Sequence, residues 1–196
     1  MIDTNISVID DFLPKHIFDE IKSMFFDKSF PWFFNESSVF DDDKCPQFVH
    51  LFYQDMEPYS AYWDKIKPII FGGLQLRNCD SLIKVKANAT PVHTSVITKR
   101  YHYDFLEDID DAQKLAEDEN YPAKPGPHNV AILYLNSNDG FTFFKDGPKI
   151  ESVENRCIMF PGYLQHAGST CTNSPLRVVL NISFNVTPNY DHSKIF

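Results

Sequence analysis

The sequence predicts a mainly β protein with supporting helices, of the double-stranded β-helix (jelly-roll, cupin-like) type. Two observations lead to this prediction. About eight short β-type segments, separated by turn signals, follow one another through residues 81–186. The composition also contains 18 Phe and 9 Tyr, and aromatic side chains favour strands and β cores.

Helix signals come first along the chain. Residues 6–9 predict a short strand, and Pro14 marks the first turn of a helix that continues to residue 25. A second helix is predicted for residues 56–71, where Pro68 should bend or end it. The expected apolar face of the first helix comprises Ile17, Ile21, Met24 and Phe25.

A chain of 196 residues suits one domain with a substantial core. We expect that domain to cover residues 1–196, with a mainly helical support region at 1–80 and a jelly-roll core at 81–186. The aromatic segment 31–34 is expected to pack in the core. His50 lies in a predicted strand at residues 48–52 and is expected to be a packed or surface residue rather than a ligand.

The β region begins with residues 81–87, where Ile83, Val85 and Ala87 alternate with lysines and so predict a half-buried strand. Residues 88–91 predict a turn, and Asp146-Gly147 predicts a hairpin turn. The remaining predicted strands are 96–105, 129–136, 141–144, 149–153, 156–160, 166–170 and 177–184.

Residues 107–127 are polar and acidic and interrupt the β pattern. A loop of this length is usually functional or disordered. The segment directly follows the first candidate metal ligands, so we consider two roles for it, a mobile lid over the substrate and a solvated insertion. Residues 186–196 form a tail without a clear signal.

Candidate metal ligands are found at His102, Asp104 and His166. His102 and Asp104 are two positions apart, so in an extended segment both side chains leave the same face. His166 lies on a predicted strand that is distant in sequence and can supply the third ligand. Two histidines and one carboxylate form the facial triad of non-haem Fe(II) oxygenases, which leaves three coordination positions open.

The order of these motifs resembles the 2-oxoglutarate and Fe(II)-dependent dioxygenases. Arg177 follows His166 by eleven positions and opens a predicted strand. The segments Tyr134-Leu135-Asn136 and Asp139 to Phe144 are similar to the prolyl-4-hydroxylase-type branch of that family. The resemblance covers residues 81–184. It implies a hydroxylase that converts 2-oxoglutarate and O2 to succinate and CO2.

The resemblance also implies a binding site for the co-substrate. Arg177 would pair with the far carboxylate of 2-oxoglutarate, because a guanidinium makes a planar bidentate contact with a carboxylate. Tyr134 matches a tyrosine that hydrogen-bonds the same carboxylate, and Thr142 and Ile132 match positions that line the pocket. Asn181 lies on the same strand face as Arg177 and is expected to add a polar contact. Fe(II), 2-oxoglutarate and O2 are the implied cofactors, and ascorbate is left open.

The net charge and the cysteines indicate which classes of partner and which cellular location we expect. The net charge of −9 argues against a nucleic-acid surface. Ser183 stands where the demethylating repair oxygenases carry a second arginine. The four cysteines have no CxxC spacing, the N-terminus shows no secretory signal and no segment is long and apolar enough to span a membrane. We therefore expect a cytoplasmic protein with neither nucleic-acid nor membrane partners.

The primary substrate stays open at this point. The prolyl-hydroxylase-type pattern favours a prolyl or other residue of a peptide or protein, and a free amino acid or other small molecule is the alternative. Two further alternatives are a non-catalytic jelly-roll module that binds a metal or ligand and a metal hydrolase that uses the same three ligands. The hydrolase would leave Arg177 and Tyr134 without a role. Because Asp104 is present, hydroxylation is expected rather than halogenation.

Overall fold

The computed structural model describes residues 6–38, 45–74, 79–106, 109–118 and 121–186. The predicted tail at 186–196 lies outside these residues except for its first position. Most described residues in regular structure are in strands, so the prediction of a mainly β protein with supporting helices is confirmed. No described helix is long and apolar enough to cross a membrane.

Among the described residues, three α-helices accompany the strands: α1 (Lys15–Phe25), α2 (Trp63–Ile69) and α3 (Ile109–Glu117). Helix α1 buries Phe18, Ile21 and Phe25 at helical spacing. Its buried stripe is therefore rotated relative to the expected face, and Ile17 and Met24 are only partly buried.

The second helix is much shorter than predicted. Residues 57–58 pair as a short strand, and α2 begins only at Trp63. Pro68 lies inside the helix and has no N–H to donate to the preceding turn. The chain leaves α2 one residue later and continues as a π-helical turn, Ile70–Leu74.

Eleven strands are present in the described residues. They are β1 (Ser7–Ile9), β2 (Phe33–Asn35), β3 (Gln47–Gln54), β4 (Glu57–Pro58), β5 (Cys79–Pro91), β6 (Asn129–Tyr134), β7 (Phe141–Phe144), β8 (Lys149–Glu151), β9 (Cys157–Pro161), β10 (His166–Gly168) and β11 (Leu176–Val186). The large sheet has the order β1-β9-β6-β11-β5-β3-β2, with β4 paired to β3, and the small sheet has the order β10-β7-β8. All pairs are antiparallel.

Alternate side chains of β6 belong to two different hydrophobic cores. Ala131 and Leu133 pack with the helices on one face of the large sheet, and Ile132 and Tyr134 face the small sheet. The second core also contains Phe144 of the small sheet. The large sheet thus lies between a helical layer and the small sheet, which is the two-sheet arrangement expected of a jelly roll.

Several predictions for individual segments were wrong. Residues 88–91 continue β5 instead of turning, because each of them pairs with β11. Residues 96–105 form only isolated bridges, and the expected loop at 107–127 contains α3. The region 1–80 contributes β1–β4 and the start of β5 besides its helices, so it is less helical than expected.

The aromatic segment 31–34 does not lie wholly in the core. Trp32 packs against it, but Phe33 and Phe34 are 61% and 63% exposed on β2 at the edge of the sheet. His50 is buried, so it is a packed residue rather than a surface residue. Its Nδ1 lies 2.7 Å from the Pro31 carbonyl oxygen and its Nε2 lies 2.7 Å from Ser60 Oγ.

Candidate metal centre

Two segments far apart in sequence bring His102 and His166 together. His166 begins β10, whereas His102 lies in an irregular stretch that pairs with β10 through a single bridge. The His102 N–H donates to the His166 carbonyl oxygen at 3.0 Å, and the His166 N–H donates to the His102 carbonyl oxygen at 3.1 Å. The ring centroids of the two imidazoles are 4.5 Å apart.

Asp104 completes a compact group of three donors. Its Oδ1 lies 3.8 Å from His102 Nε2, and its Oδ2 lies 3.7 Å from His166 Nε2. One ligand atom from each of the three residues lies within 4.8 Å of the others. Asp104 Oδ2 is buried and has no hydrogen-bond partner in the described residues. A buried carboxylate oxygen without a partner is costly unless a cation is bound, so this donor set fits a divalent metal.

Electrostatics hold His102 and Asp104 in metal-binding protonation states. Burial and the neighbouring His166 lower the pKa of His102 to about 3, so its imidazole is neutral at pH 7. Burial alone raises the pKa of Asp104, but His166, His102 and Lys86 outweigh it and lower the pKa overall. A carboxylate and a neutral imidazole are the forms that bind metals without first releasing a proton.

His166 is oriented by its own turn. Its Nδ1 lies 3.4 Å from the Leu164 carbonyl oxygen. A carbonyl oxygen can only accept, so the contact favours the tautomer with the proton on Nδ1, which is the one that leaves the Nε2 lone pair available to a metal.

Arg177 lies at the other end of the same pocket. It is only 5% exposed on β11. Its Nε donates to Ser152 Oγ at 2.9 Å and its Nη2 donates to Thr142 Oγ1 at 3.0 Å. No carboxylate of the described residues lies within ion-pairing distance of its guanidinium. The hydroxyls orient the guanidinium without neutralising it, so it can receive an anionic ligand.

The other expected co-substrate residues are distributed around this pocket. Thr142, Ile132 and Asn181 line it. Tyr134 is fully buried beside Arg177, with its ring centroid 5.5 Å from the guanidinium carbon, and is not part of the pocket lining. Asn181 lies about 13 Å along β11 from Arg177, given the rise of an extended strand.

Sequence reasoning missed one wall of the pocket. Lys86, Asn88 and Thr90 of β5 line it, as do Gln47 and Lys99. The alternation of lysines with the buried Val85 and Ala87 predicted a half-buried strand, but Asn88 and Thr90 belong to residues that were predicted as a turn, so this polar face was not recognised as part of the site. Ser152, which binds Arg177, carried no comparable signal.

Two further described histidines, His93 and His128, lie outside the group of three. His93 is exposed, and His192 lies outside the described residues. His128 is 4% exposed and its Nδ1 lies 2.9 Å from the Gly126 carbonyl oxygen. The Cβ of an alanine at Gly162 would lie 2.3 Å from this ring, so the glycine permits the packing of His128.

Comparison with solved structures identifies the fold. A prolyl-4-hydroxylase from Pseudomonas putida is 16% identical, with 94% of each chain covered and a TM-score of 0.56. An oxidoreductase of the 2OG-Fe(II) oxygenase family from Burkholderia pseudomallei is 10% identical, with 92% of this chain and 84% of that chain covered and a TM-score of 0.63.

A third similar structure is a prolyl hydroxylase from Trichoplax adhaerens in complex with a peptide fragment of the hypoxia inducible factor oxygen degradation domain. It is 12% identical, with 94% of this chain and 84% of that chain covered and a TM-score of 0.62. No protein-family model and no curated protein matches the sequence. The chain therefore has the jelly-roll fold of the 2OG-Fe(II) oxygenases, prolyl hydroxylases among them.

Proposed function

We propose that this protein is a 2-oxoglutarate- and Fe(II)-dependent dioxygenase that hydroxylates a residue of a peptide or protein, a prolyl residue being the first candidate. One observation carries the proposal: two histidines and one carboxylate form a partly buried group of three, and an arginine without a carboxylate partner in the described residues lines the same pocket. The neighbours with this fold support it, since they include prolyl hydroxylases.

In this proposal His102, Asp104 and His166 hold the iron. When bound, Fe(II) supplies the activation of O2, coupled to decarboxylation of 2-oxoglutarate, so that one oxygen atom enters succinate and the other a substrate C–H bond. Thr142 and Ser152 hold the Arg177 guanidinium towards the pocket. Arg177 binds the far carboxylate of 2-oxoglutarate, which directs the oxo-acid end of the co-substrate to the metal.

The preference for a peptide substrate is supported by the peptide complex of the Trichoplax neighbour. A free amino acid or other small molecule is the alternative. Nucleic acid stays excluded in this proposal because of the net charge of −9. We also propose a cytoplasmic location, because Cys171 is a buried thiol that forms no disulfide.

The reaction is tested by succinate release from 2-oxoglutarate with purified protein. We expect slow release that requires both Fe(II) and O2 even without a primary substrate, and faster release with the true substrate. A panel of proline-containing peptides, free amino acids and single-stranded oligonucleotides then tests the substrate class, with a gain of one oxygen atom as the product signature. Stimulation by oligonucleotides alone would refute the peptide assignment, and zinc-dependent hydrolysis without 2-oxoglutarate would refute the dioxygenase.

A further inference from the structure

One wall of the pocket is polar over its whole length. Lys86, Asn88 and Thr90 alternate along β5, so their side chains leave the same face of the sheet and line the pocket. Thr90 pairs with Arg177 on β11, whereas Lys86 pairs with Asn181. These two pairs are about 13 Å apart along the strands. Arg177 therefore marks one end of the wall and Lys86 marks the other.

The Lys86 end is the end nearer the metal centre. Lys86 lines the pocket together with His102 and Asp104, and its ammonium is close enough to lower the pKa of both. In the described part of the chain, no carboxylate lies within 4.0 Å of this ammonium. Lys86 is thus a half-buried cation beside the candidate metal site, without an ion-pair partner among those residues.

A sum of the charges shows that the positive charge of Lys86 has no counter-charge in the proposed co-substrate site. The two positive charges of Fe(II) and the one of Arg177 are matched by one negative charge of Asp104 and two of 2-oxoglutarate. The charge of Lys86 is then left over in a partly buried pocket, where an unpaired cation is unfavourable. Lys99 also carries a positive charge in this pocket, but its ammonium donates to Gln47 Oε1 and Thr90 Oγ1, which places it at the Arg177 end of the wall rather than beside Lys86.

Two amide oxygens on the same wall also lack partners. Asn88 Oδ1 and Asn181 Oδ1 are buried and accept no hydrogen bond from the described residues. Buried acceptors of this kind are normally satisfied. A ligand that fits beside Lys86 should therefore offer N–H or O–H donors near its negative charge.

We infer that the primary substrate presents a carboxylate close to the hydroxylated carbon, paired with Lys86, and an adjacent N–H or O–H group that donates to Asn88 or Asn181. This inference rests on the proposed dioxygenase function and shifts its substrate class from an internal prolyl residue, which has neither a carboxylate nor an N–H, to an acidic residue or a free amino acid. An aspartyl or glutamyl side chain with its backbone amide has this chemistry, and so does the carboxylate of a free amino acid. Asp111 of the acidic segment does not line this pocket; it pairs with Lys114 and accepts hydrogen bonds from Tyr121 and the Lys124 backbone.

Matched acid and amide probes test the inference in the anaerobic complex with Fe(II) and 2-oxoglutarate. The side-chain source is tested with N-acetyl-aspartate amide against N-acetyl-asparagine amide, and the free-acid source with proline against prolinamide. The readout is the change in the metal-to-ligand absorption band during titration, followed by succinate release in air. We expect the acid of at least one pair to act at a concentration at least tenfold lower than its amide.

Substitution of Lys86 identifies the partner. Lys86→Met keeps the length of the side chain without the charge, and we expect it to abolish the preference for the acid while the affinity for 2-oxoglutarate stays as in the wild type. Lys86→Arg should restore part of the preference. Lys84→Met is the matched control, because Lys84 lies on the same face of β5 but does not line the pocket.

The other outcomes either overturn the inference about Lys86 or refute the proposed function. Equal responses to acid and amide in both pairs, including no response at all, overturn the inference while the absorption band itself still supports the dioxygenase. A loss of 2-oxoglutarate affinity in Lys86→Met would also overturn it, since Lys86 would then serve the co-substrate. Absence of the band in the wild type would instead refute the proposed function.

Discussion

His102 and His166 are joined by two reciprocal backbone hydrogen bonds of 3.0 and 3.1 Å. This bridge fixes the main chain on both sides of the site, so the separation of the two imidazoles depends on backbone pairing rather than on side-chain packing alone. Ligands that are positioned before the metal arrives lose little conformational entropy when it binds. Asp104, which follows two residues after His102, is placed by the same bridge.

Removing one member of this group should abolish tight metal binding. We expect His166→Ala and Asp104→Ala to lower the affinity for Fe(II) by more than about 100-fold, because even loss of a residue that only orients a ligand costs 10–100-fold. Anaerobic calorimetry measures the affinity. His93→Ala is the control, since His93 is exposed and lies outside the site, and equal affinities in all three variants would remove the metal assignment.

Arg177→Ala should weaken the binding of 2-oxoglutarate and spare the metal. Truncation of one partner of a buried, hydrogen-bonded charge pair costs about 2–5 kcal/mol. Arg177→Lys should recover only part of the loss, because an ammonium lacks the planar fork of donors. Titration of 2-oxoglutarate into the metal-loaded protein measures the effect, and an unchanged affinity in Arg177→Ala would contradict the assignment.

Gly140 gives a way to move Arg177 without replacing it. A Cβ at this position would lie 2.7 Å from Arg177 Cδ and 2.9 Å from the Thr170 carbonyl oxygen. We expect Gly140→Ala to displace the guanidinium and weaken 2-oxoglutarate binding, because overpacking of this kind forces neighbouring side chains to shift and costs on the order of 1–3 kcal/mol of folding free energy.

The control for this variant is Gly72→Ala. A Cβ at Gly72 would meet no atom within 4 Å, so this variant should bind 2-oxoglutarate as the wild type does. Equal binding by both alanine variants would show that the position of Arg177 does not depend on the space at Gly140.

The metal-free protein should lose stability as the pH falls. Burial lowers the pKa of His102 from 6.5 to about 3, so the unfolded chain binds a proton in this range that the folded chain does not. His102 therefore does not reduce the free energy of unfolding above pH 6.5, and it reduces this free energy progressively as the pH falls from 6.5 towards 3. Between pH 7 and pH 5 the reduction is at most about 2 kcal/mol. Urea unfolding at both pH values, with His102→Asn for comparison, measures it, and an equal decrease in both proteins would show that His102 is not responsible.

The pattern of the sequence predicted the β core better than the connections. Residues 129–136 and 141–144 were predicted as strands, and the structure has strands at Asn129–Tyr134 and Phe141–Phe144. Residues 88–91 read locally as a turn, yet pairing with β11 holds them extended. The converse occurs at 96–105, which carries strand-like residues but makes only isolated bridges. Tertiary pairing, which a local pattern does not contain, decides both cases.

The candidate site was predictable where residue type alone restricts the chemistry. His102, Asp104 and His166 could be selected because few residue types bind iron, and the structure brings them together. Lys86 could not be selected, because a lysine that alternates with apolar residues has the same pattern whether it faces solvent or a pocket. Only the second sheet, which closes over that face of β5, distinguishes the two.

The most direct measurement of the central claim is the absorption spectrum of the protein under anaerobic conditions with Fe(II) and 2-oxoglutarate. The account predicts a metal-to-ligand charge-transfer band that appears only when both are present. It also predicts that the band is lost in Asp104→Ala and that Arg177→Ala requires a higher concentration of 2-oxoglutarate to form it. Absence of the band from wild-type protein at saturating Fe(II) and 2-oxoglutarate would contradict the account.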